Sequence, residues 1–184
     1  MKVVISLLRG INLGGHKKIK MSDLCALYGS LGHREVRSHI NSGNVLFRTG
    51  ERDVAAVLKK LESAIEKECG FHVDVVARTT AEMRDVIRRN PFAKRKEVEP
   101  GKLLVTFLPQ KPAKEVSEQL RNLKPDPEEM YLDGREIYTY FPEGAGRSKL
   151  FSGLSGRLLK NQGTARNWNT VLKLLEIAEE LEAL

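Results

Sequence analysis

Residues 35–49 read EVRSHINSGNVLFRT, two β-rich runs on either side of Asn41-Ser42-Gly43-Asn44. Asn, Ser and Gly at the centre of such a segment favour a tight turn, because they tolerate left-handed backbone or hydrogen-bond to it. The stretch predicts a hairpin of strands over 35–40 and 45–49. Its flanks turn the hairpin into a fold. Upstream, Lys2–Leu8 is apolar and β-branched, as in a buried central strand. A helix from an N-cap at Ser22 to Leu31 follows, with Leu24, Leu27, Tyr28 and Leu31 at helical spacing and Gly32 as its stop. Downstream, Asp53 caps a helix with Val57, Leu58, Leu61 and Ile65 on one face, Gly70 ends it, and Val73–Ala77 is extended. The order βαββαβ predicts a ferredoxin-like subdomain over residues 1–78.

A similar pattern begins again further on. Thr79 or Thr80 starts a helix carrying Met83, Val86 and Ile87, which ends before Pro91 and leads into a polar linker, so that 79–101 reads as helix and linker. Leu103–Leu108 is a strand, Val116–Leu123 lies on a helix, and Glu129–Leu132 and Glu136–Phe141 pair across Asp133-Gly134. A further helix starts at Ser148, and a last one over Arg166–Leu181 has Thr164 as its cap. The expectation is an α+β protein with antiparallel sheets. Its second ferredoxin-like subdomain, residues 102–184, reads βαββα, with its last strand short or missing, plus the C-terminal helix. The two halves share pattern but no obvious residue identities.

Composition narrows the functional classes. The chain has 184 residues, 41% hydrophobic and 30% charged, as in a globular protein rather than a disordered one. The apolar run Val3–Leu8 is cut by Arg9, too short for an export signal or a membrane span. With two cysteines, Cys25 and Cys69, and no export signal, the expectation is a cytoplasmic protein with free thiols. The net charge of +7 is unevenly placed. Residues 1–22 hold Lys2, Arg9, Lys17, Lys18 and Lys20 with no acid; residues 147–173 hold Arg147, Lys149, Arg157, Lys160, Arg166 and Lys173, again with no acid. Two basic, acid-free segments suggest an anionic partner if they meet in space.

The segment Gly10-Ile-Asn-Leu-Gly-Gly15-His-Lys nearly matches a phosphate-binding loop. In a Walker loop the second glycine precedes a lysine and a hydroxyl; here His16 and Lys17 stand there, so a nucleotide-hydrolysing loop is excluded. A dinucleotide fingerprint needs glycine at Asn12 and a helix opening at Gly15, and neither is present. What remains is either an anion nest, with Arg9, Asn12, Gly14, Gly15, Lys17 and Lys18 as its parts, or a tight strand-to-helix turn. In a βαββαβ unit the first two strands run parallel, so Asn41, Ser42 and Asn44 lie on the same sheet edge as this loop. Two helix starts extend the candidate set: Arg147, Ser148 and Lys149, then Thr164, Arg166 and Asn167, with arginines where a bound anion would offset the helix dipole. Trp168, in phase with Val171, Leu172, Leu175 and Ala178, reads as a core anchor.

Four stretches together carry a resemblance: LLRGINLGGHKKIKMSDL at 7–24, INSGNVLF at 40–47, PEGAGRSKL at 142–150 and TARNWNTVLKL at 164–174. In these the chain resembles a bacterial family known only as a domain of unknown function. The resemblance implies a two-subdomain, ferredoxin-like α+β fold and no established activity. The family often carries lysine directly after the double glycine, where this chain has His16, and Val where it has Leu13.

Catalytic patterns are weak. Gly153-Leu-Ser155-Gly156 lacks the spacing of a nucleophile elbow, and His16, His33, His39 and His72 stand in no metal-ligand spacing. No cofactor or metal is expected, and the chain reads as a binding protein rather than an enzyme. Nucleic acid, RNA first, is the expected partner by analogy of fold. An enzyme or sensor for a small phosphorylated metabolite or nucleotide is the alternative, and a scaffold or oligomerisation module the third reading.

Overall fold

The structure, a computed structural model, describes residues 1–123, 125–150, 159 and 162–184. The chain divides into two compact units, residues 1–84 with 173–184, and residues 85–172. The first contains β1 (Lys2–Leu8), α1 (Met21–Ser30), β2 (Arg34–His39), β3 (Asn44–Thr49), α2 (Val54–Cys69) and β4 (Val75–Thr79). Helix α3 (Thr80–Arg88) crosses the boundary. The second unit holds β5 (Leu103–Phe107), α4 (Lys114–Asn122), β6 (Glu129–Asp133), β7 (Glu136–Tyr140) and β8 (Thr164–Asn167), and α5 (Trp168–Glu182) begins in it and ends in the first. Among the described residues no helix is long and apolar enough to cross a membrane.

Both sheets are four-stranded and antiparallel, in the orders β2-β3-β1-β4 and β6-β7-β5-β8. Each unit is therefore ferredoxin-like. Because β3 lies between β1 and β2 and opposes both, β1 and β2 run the same way. The end of β1 and the end of β2 share one sheet edge as a result, and Leu8 donates its backbone N–H to Gly43 O across it at 2.8 Å.

The first core forms where alternate strand residues meet two helices. Val4, Leu8, Val45, Phe47, Val75 and Ala77 pack against Leu24 and Tyr28 of α1 and Val57, Leu61 and Ile65 of α2. Tyr28 is fully buried, its hydroxyl 3.1 Å from Ser6 Oγ, which itself donates to Val45 O; burial pushes the phenol's pKa up. Asp53 caps α2 as its sequence predicts, accepting from the amides of Ala55 and Ala56, an arrangement worth about 1 kcal/mol. Gly70 closes the helix at φ 76°. Thr79 and Glu82 form a capping box at α3: each side chain accepts from the other's amide. In the second unit, Leu108, Leu120, Ile137 and Leu159 form a smaller core, and Tyr138 Oη donates to Val86 O at 2.7 Å.

Three expectations are corrected here. Residues 164–167 are strand, not helix start: Thr164↔Phe107 and Arg166↔Val105 pair along β5, supplying the fourth strand expected to be short or missing. The last helix begins at Trp168, capped by Asn167 Oδ1, which accepts from Asn169 N at 3.0 Å. Its buried face carries Trp168, Val171, Leu174, Ala178 and Leu181, whereas Leu172 is exposed. Helix α1 starts one residue before Ser22, whose hydroxyl bonds to Asp23 rather than capping. The helix expected after Ser148 and the Gly153–Gly156 segment fall mostly outside the described residues.

Candidate functional site

The loop from Arg9 to Lys20 is built as a small hairpin of its own. Leu13 and His16 bridge, with Gly14 and Gly15 at φ 56° and 87° between them, the left-handed pair of a type I′ turn. Asn12 N donates to Lys17 O at 3.1 Å and His16 N to Leu13 O, also at 3.1 Å, so these two amides are already occupied. Asn12, itself at φ 57°, ties the loop down. Its amide Nδ2 donates to Ile19 O (3.0 Å) and Asn41 O (2.9 Å), and its Oδ1 accepts from Ile19 N (2.9 Å). The structure thus brings the glycine loop and the Asn41–Asn44 turn together, and Asn12 is the link.

Within the turn, Asn44 is buried and donates to His39 O and Ser42 Oγ. Gly43 is required twice: its φ is 76°, and a Cβ there would lie 2.8 Å from Leu8 Cβ.

The basic residues of the loop do not act as one group. Arg9 Nη1 pairs with Asp74 Oδ2 at 3.1 Å, and Lys17 Nζ donates to His72 O at 2.7 Å. Residues 1–22 carry no acid of their own, and the counter-charge for Arg9 arrives from the segment before β4. Hydrogen bonds from His72 and Arg9 hold the Asp74 carboxyl below its ordinary pKa, against burial, which alone would raise it. His72 is raised in turn, chiefly by its hydrogen bond to Asp74 (Nε2···Oδ1 3.1 Å).

Lys18 and Lys20 are exposed, and their side chains hold no hydrogen bond or ion pair among the described residues. They border an open cleft of about 950 Å³ whose lining includes Asn12, Gly15, Asn41, Asp23, Glu68 and Cys69. Ile19 and Met21 add an apolar strip to it. Cys69 is a free thiol whose pKa is pushed up by burial and by the neighbouring Glu68 and Asp23, so it is a poor nucleophile.

The second unit's candidates are arranged differently. Ser148 Oγ donates to Glu128 Oε1 at 2.5 Å and accepts from Leu150 N at 3.1 Å; Lys149 is exposed beside it. The small cavity there, about 40 Å³, is lined by Glu128 and Glu143, charges that repel an anion. Arg147 lies on the short 3-10 turn Ala145–Arg147. Arg166 is buried in β8, donating through Nη1 to Thr164 Oγ1 (2.6 Å) and Ala165 O (2.8 Å); burial pushes its pKa down to about 10. It decorates no helix N-terminus. Asn167 Nδ2 donates to Gly101 O at 2.8 Å. Among the described residues no group of three His, Cys, Asp or Glu side chains is placed to hold a metal ion.

Sequence reasoning overlooked Arg34 and Arg48. Only the register of β2 against β3 sets them side by side.

Among solved structures, the chain is similar to the conserved bacterial protein SP0830 from Streptococcus pneumoniae, with a TM-score of 0.79 and 22% identity over 96% of this chain and 98% of that one. At that identity the likeness speaks for the fold. No curated protein matches the chain. A family model covers residues 1–138, which include the glycine loop, the Asn41–Asn44 turn and strands β1 to β6. The chain accordingly belongs to the family described as protein of unknown function (DUF1697).

Proposed function

We propose that the first unit binds a small phosphorylated ligand, a sugar phosphate or mononucleotide, in the cleft beside the glycine loop. The observation that carries this reading is the pair Lys18 and Lys20, cations without side-chain partners among the described residues, at the rim of a cleft of about 950 Å³. Their loop is held by Asn12 and by the Arg9–Asp74 and Lys17–His72 contacts, so little ordering entropy is lost on binding. Asp23 and Glu68 on the same lining are acceptors suited to sugar hydroxyls, and Ile19 with Met21 offers an apolar surface. Nucleic acid is the weaker reading because, among the described residues, Tyr131 of β6 is the one exposed Phe, Tyr or Trp on the two sheets. Phe47 and Tyr138 are fully buried and Tyr140 is 8% exposed, which leaves these rings no face for base stacking.

The test is a thermal-shift panel of sugar phosphates and nucleotides. A ligand at a hundredfold excess over its Kd is expected to add about 2.7 kcal/mol of stability. The Lys18→Gln/Lys20→Gln variant should keep the ligand-free Tm and lose the shift. The same ligand should slow alkylation of Cys69, which lines the cleft, and leave Cys25 unaffected. No response across the panel, or an equal response in the double variant, would overturn the proposal.

A further inference from the structure

The second candidate lies on the β2–β3 hairpin and is independent of the cleft. Strand β2 carries a bulge: Glu35 has φ 51°, and the register against β3 shifts between Arg34 and Arg37. Without the bulge, residues 34 and 37 would face opposite sides of the sheet. With it, Arg34 pairs with Arg48 and Arg37 with Leu46, so all four side chains lie on one face. That face is opposite the one carrying Val45 and Phe47.

Arg34 and Arg48 are direct cross-strand partners. Like charges so placed repel and destabilise a sheet. Arg37 has an acid, Glu180 Oε2 at 2.8 Å. The side chains of Arg34 and Arg48 have neither ion pair nor hydrogen bond among the described residues, and Arg48 Nε is shut off from solvent without a partner there. A buried guanidinium N–H without an acceptor costs on the order of 1–3 kcal/mol. His39, further along the same face, has its pKa lowered by burial and then by Lys173. Direct cross-strand partners have Cβ atoms about 4.5–5.5 Å apart, close enough for the two guanidinium forks to share one phosphoryl group through several N–H···O bonds.

We propose that Arg34 and Arg48 form a phosphate-binding site, in which one phosphoryl group accepts hydrogen bonds from both guanidiniums and relieves their repulsion. The phosphate comes from either a free phosphorylated compound or a nucleic-acid backbone, and the experiment separates the two.

The first arm uses inorganic phosphate on the full chain in a Lys18→Gln/Lys20→Gln background, which removes the cleft lysines. Tm is measured in sodium phosphate and in sodium chloride of equal ionic strength, with and without Arg34→Gln/Arg48→Gln. General salting effects act alike on both proteins. The site predicts a phosphate-specific rise in Tm that disappears with the arginines, while in chloride the arginine variant melts no lower because the like-charge pair is gone. Should that variant not fold, Arg34→Lys keeps the charge, loses the fork, and is expected to weaken the phosphate response. The second arm follows a labelled single-stranded RNA by anisotropy against salt. If backbone phosphate is the occupant, losing one contacted phosphate flattens the slope of log K against log salt by about 0.7. A phosphate response with no RNA binding assigns the site to free phosphorylated compounds. Equal behaviour of the arginine pair and its Gln variant in both arms overturns the site.

Discussion

The two units build the same sheet edge from different material. In the first, Leu8 at the end of β1 donates to Gly43 O in the β2–β3 turn; in the second, Leu108 at the end of β5 donates to Arg135 O in the β6–β7 turn, both at 2.8 Å. There the likeness stops. The first unit spends residues 9–20 on a glycine hairpin bolted to the turn by Asn12, whereas the second crosses residues 109–113, PQKPA, and enters α4 directly. A ferredoxin-like edge thus closes without a long glycine loop. The elaboration of the first edge is a surplus over what the fold needs, and that supports reading it as a binding site.

The comparison is broken most forcefully at the two turn glycines. Gly43→Ala sets a Cβ 2.8 Å from Leu8 Cβ, an atom fixed to the backbone of β1, and forces φ 76° on alanine. Overpacking and left-handed strain together are expected to cost about 3 kcal/mol. At Gly134 the φ is 63° but the nearest atom, Arg89 Nη1 at 3.6 Å, is at ordinary contact distance, so Gly134→Ala should cost about 1 kcal/mol. Urea unfolding of both variants checks the ratio. Equal losses would mean that the edges are packed alike.

Asn12→Ala comes next. It deletes three hydrogen bonds and leaves the Ile19 amide without its acceptor, a loss of about 2 kcal/mol. Hydrogen exchange at Ile19 should quicken while that at Leu108 is unchanged. If Ile19 keeps its protection, the loop is held by something other than Asn12.

The smallest effect is at Asp74. Its pair with Arg9 is largely exposed, so Asp74→Asn should cost no more than about 1 kcal/mol. The clearer readout is titration. The folded pKa of His72 is raised above 6.5, so its contribution is present below 6.5 and lost as pH rises through the raised value. Asp74 is depressed below 3.8, so its contribution holds above 3.8 and is lost as pH falls through the lowered value. Asp74→Asn should return His72 to its ordinary range, as followed by NMR. An unchanged His72 titration would assign the shift to Glu66 instead, whose Oε2 lies 3.6 Å from Nδ1.

Much of the fold was legible because it is written in local periods and caps. Asp53 capping α2, Gly70 ending it and the Asn41–Asn44 turn each depend on residues a few positions apart. Strand β8 was not legible in that way. Four residues, TARN, are too short to show alternation, and Thr164 with Asn167 imitates a helix cap. Its identity follows only from the edge of β5, which gives its backbone groups partners. The register then reveals an equivalence that plain comparison of the halves missed. Arg78 opposite Ile5 and Arg166 opposite Val105 are both buried arginines in a fourth strand, each donating to the carbonyl of the alanine before it.

The candidate site divides along the same line. That the glycine loop and the Asn41 turn share an edge follows from βαββαβ order, because two strands separated by one antiparallel neighbour must run alike. Which lysines are available does not follow from order. Arg9 and Lys17 are taken by Asp74 and His72, residues far along the chain, and the pairing of Arg34 with Arg48 depends on a bulge. By itself, then, the sequence determined the element types other than β8, the hairpin and the common edge, since hydrophobic period and turn chemistry act over a few residues. Only the tertiary structure decided which charges are neutralised and which guanidiniums stand together, because ion pairs and strand register are contacts between segments that chain order does not bring close.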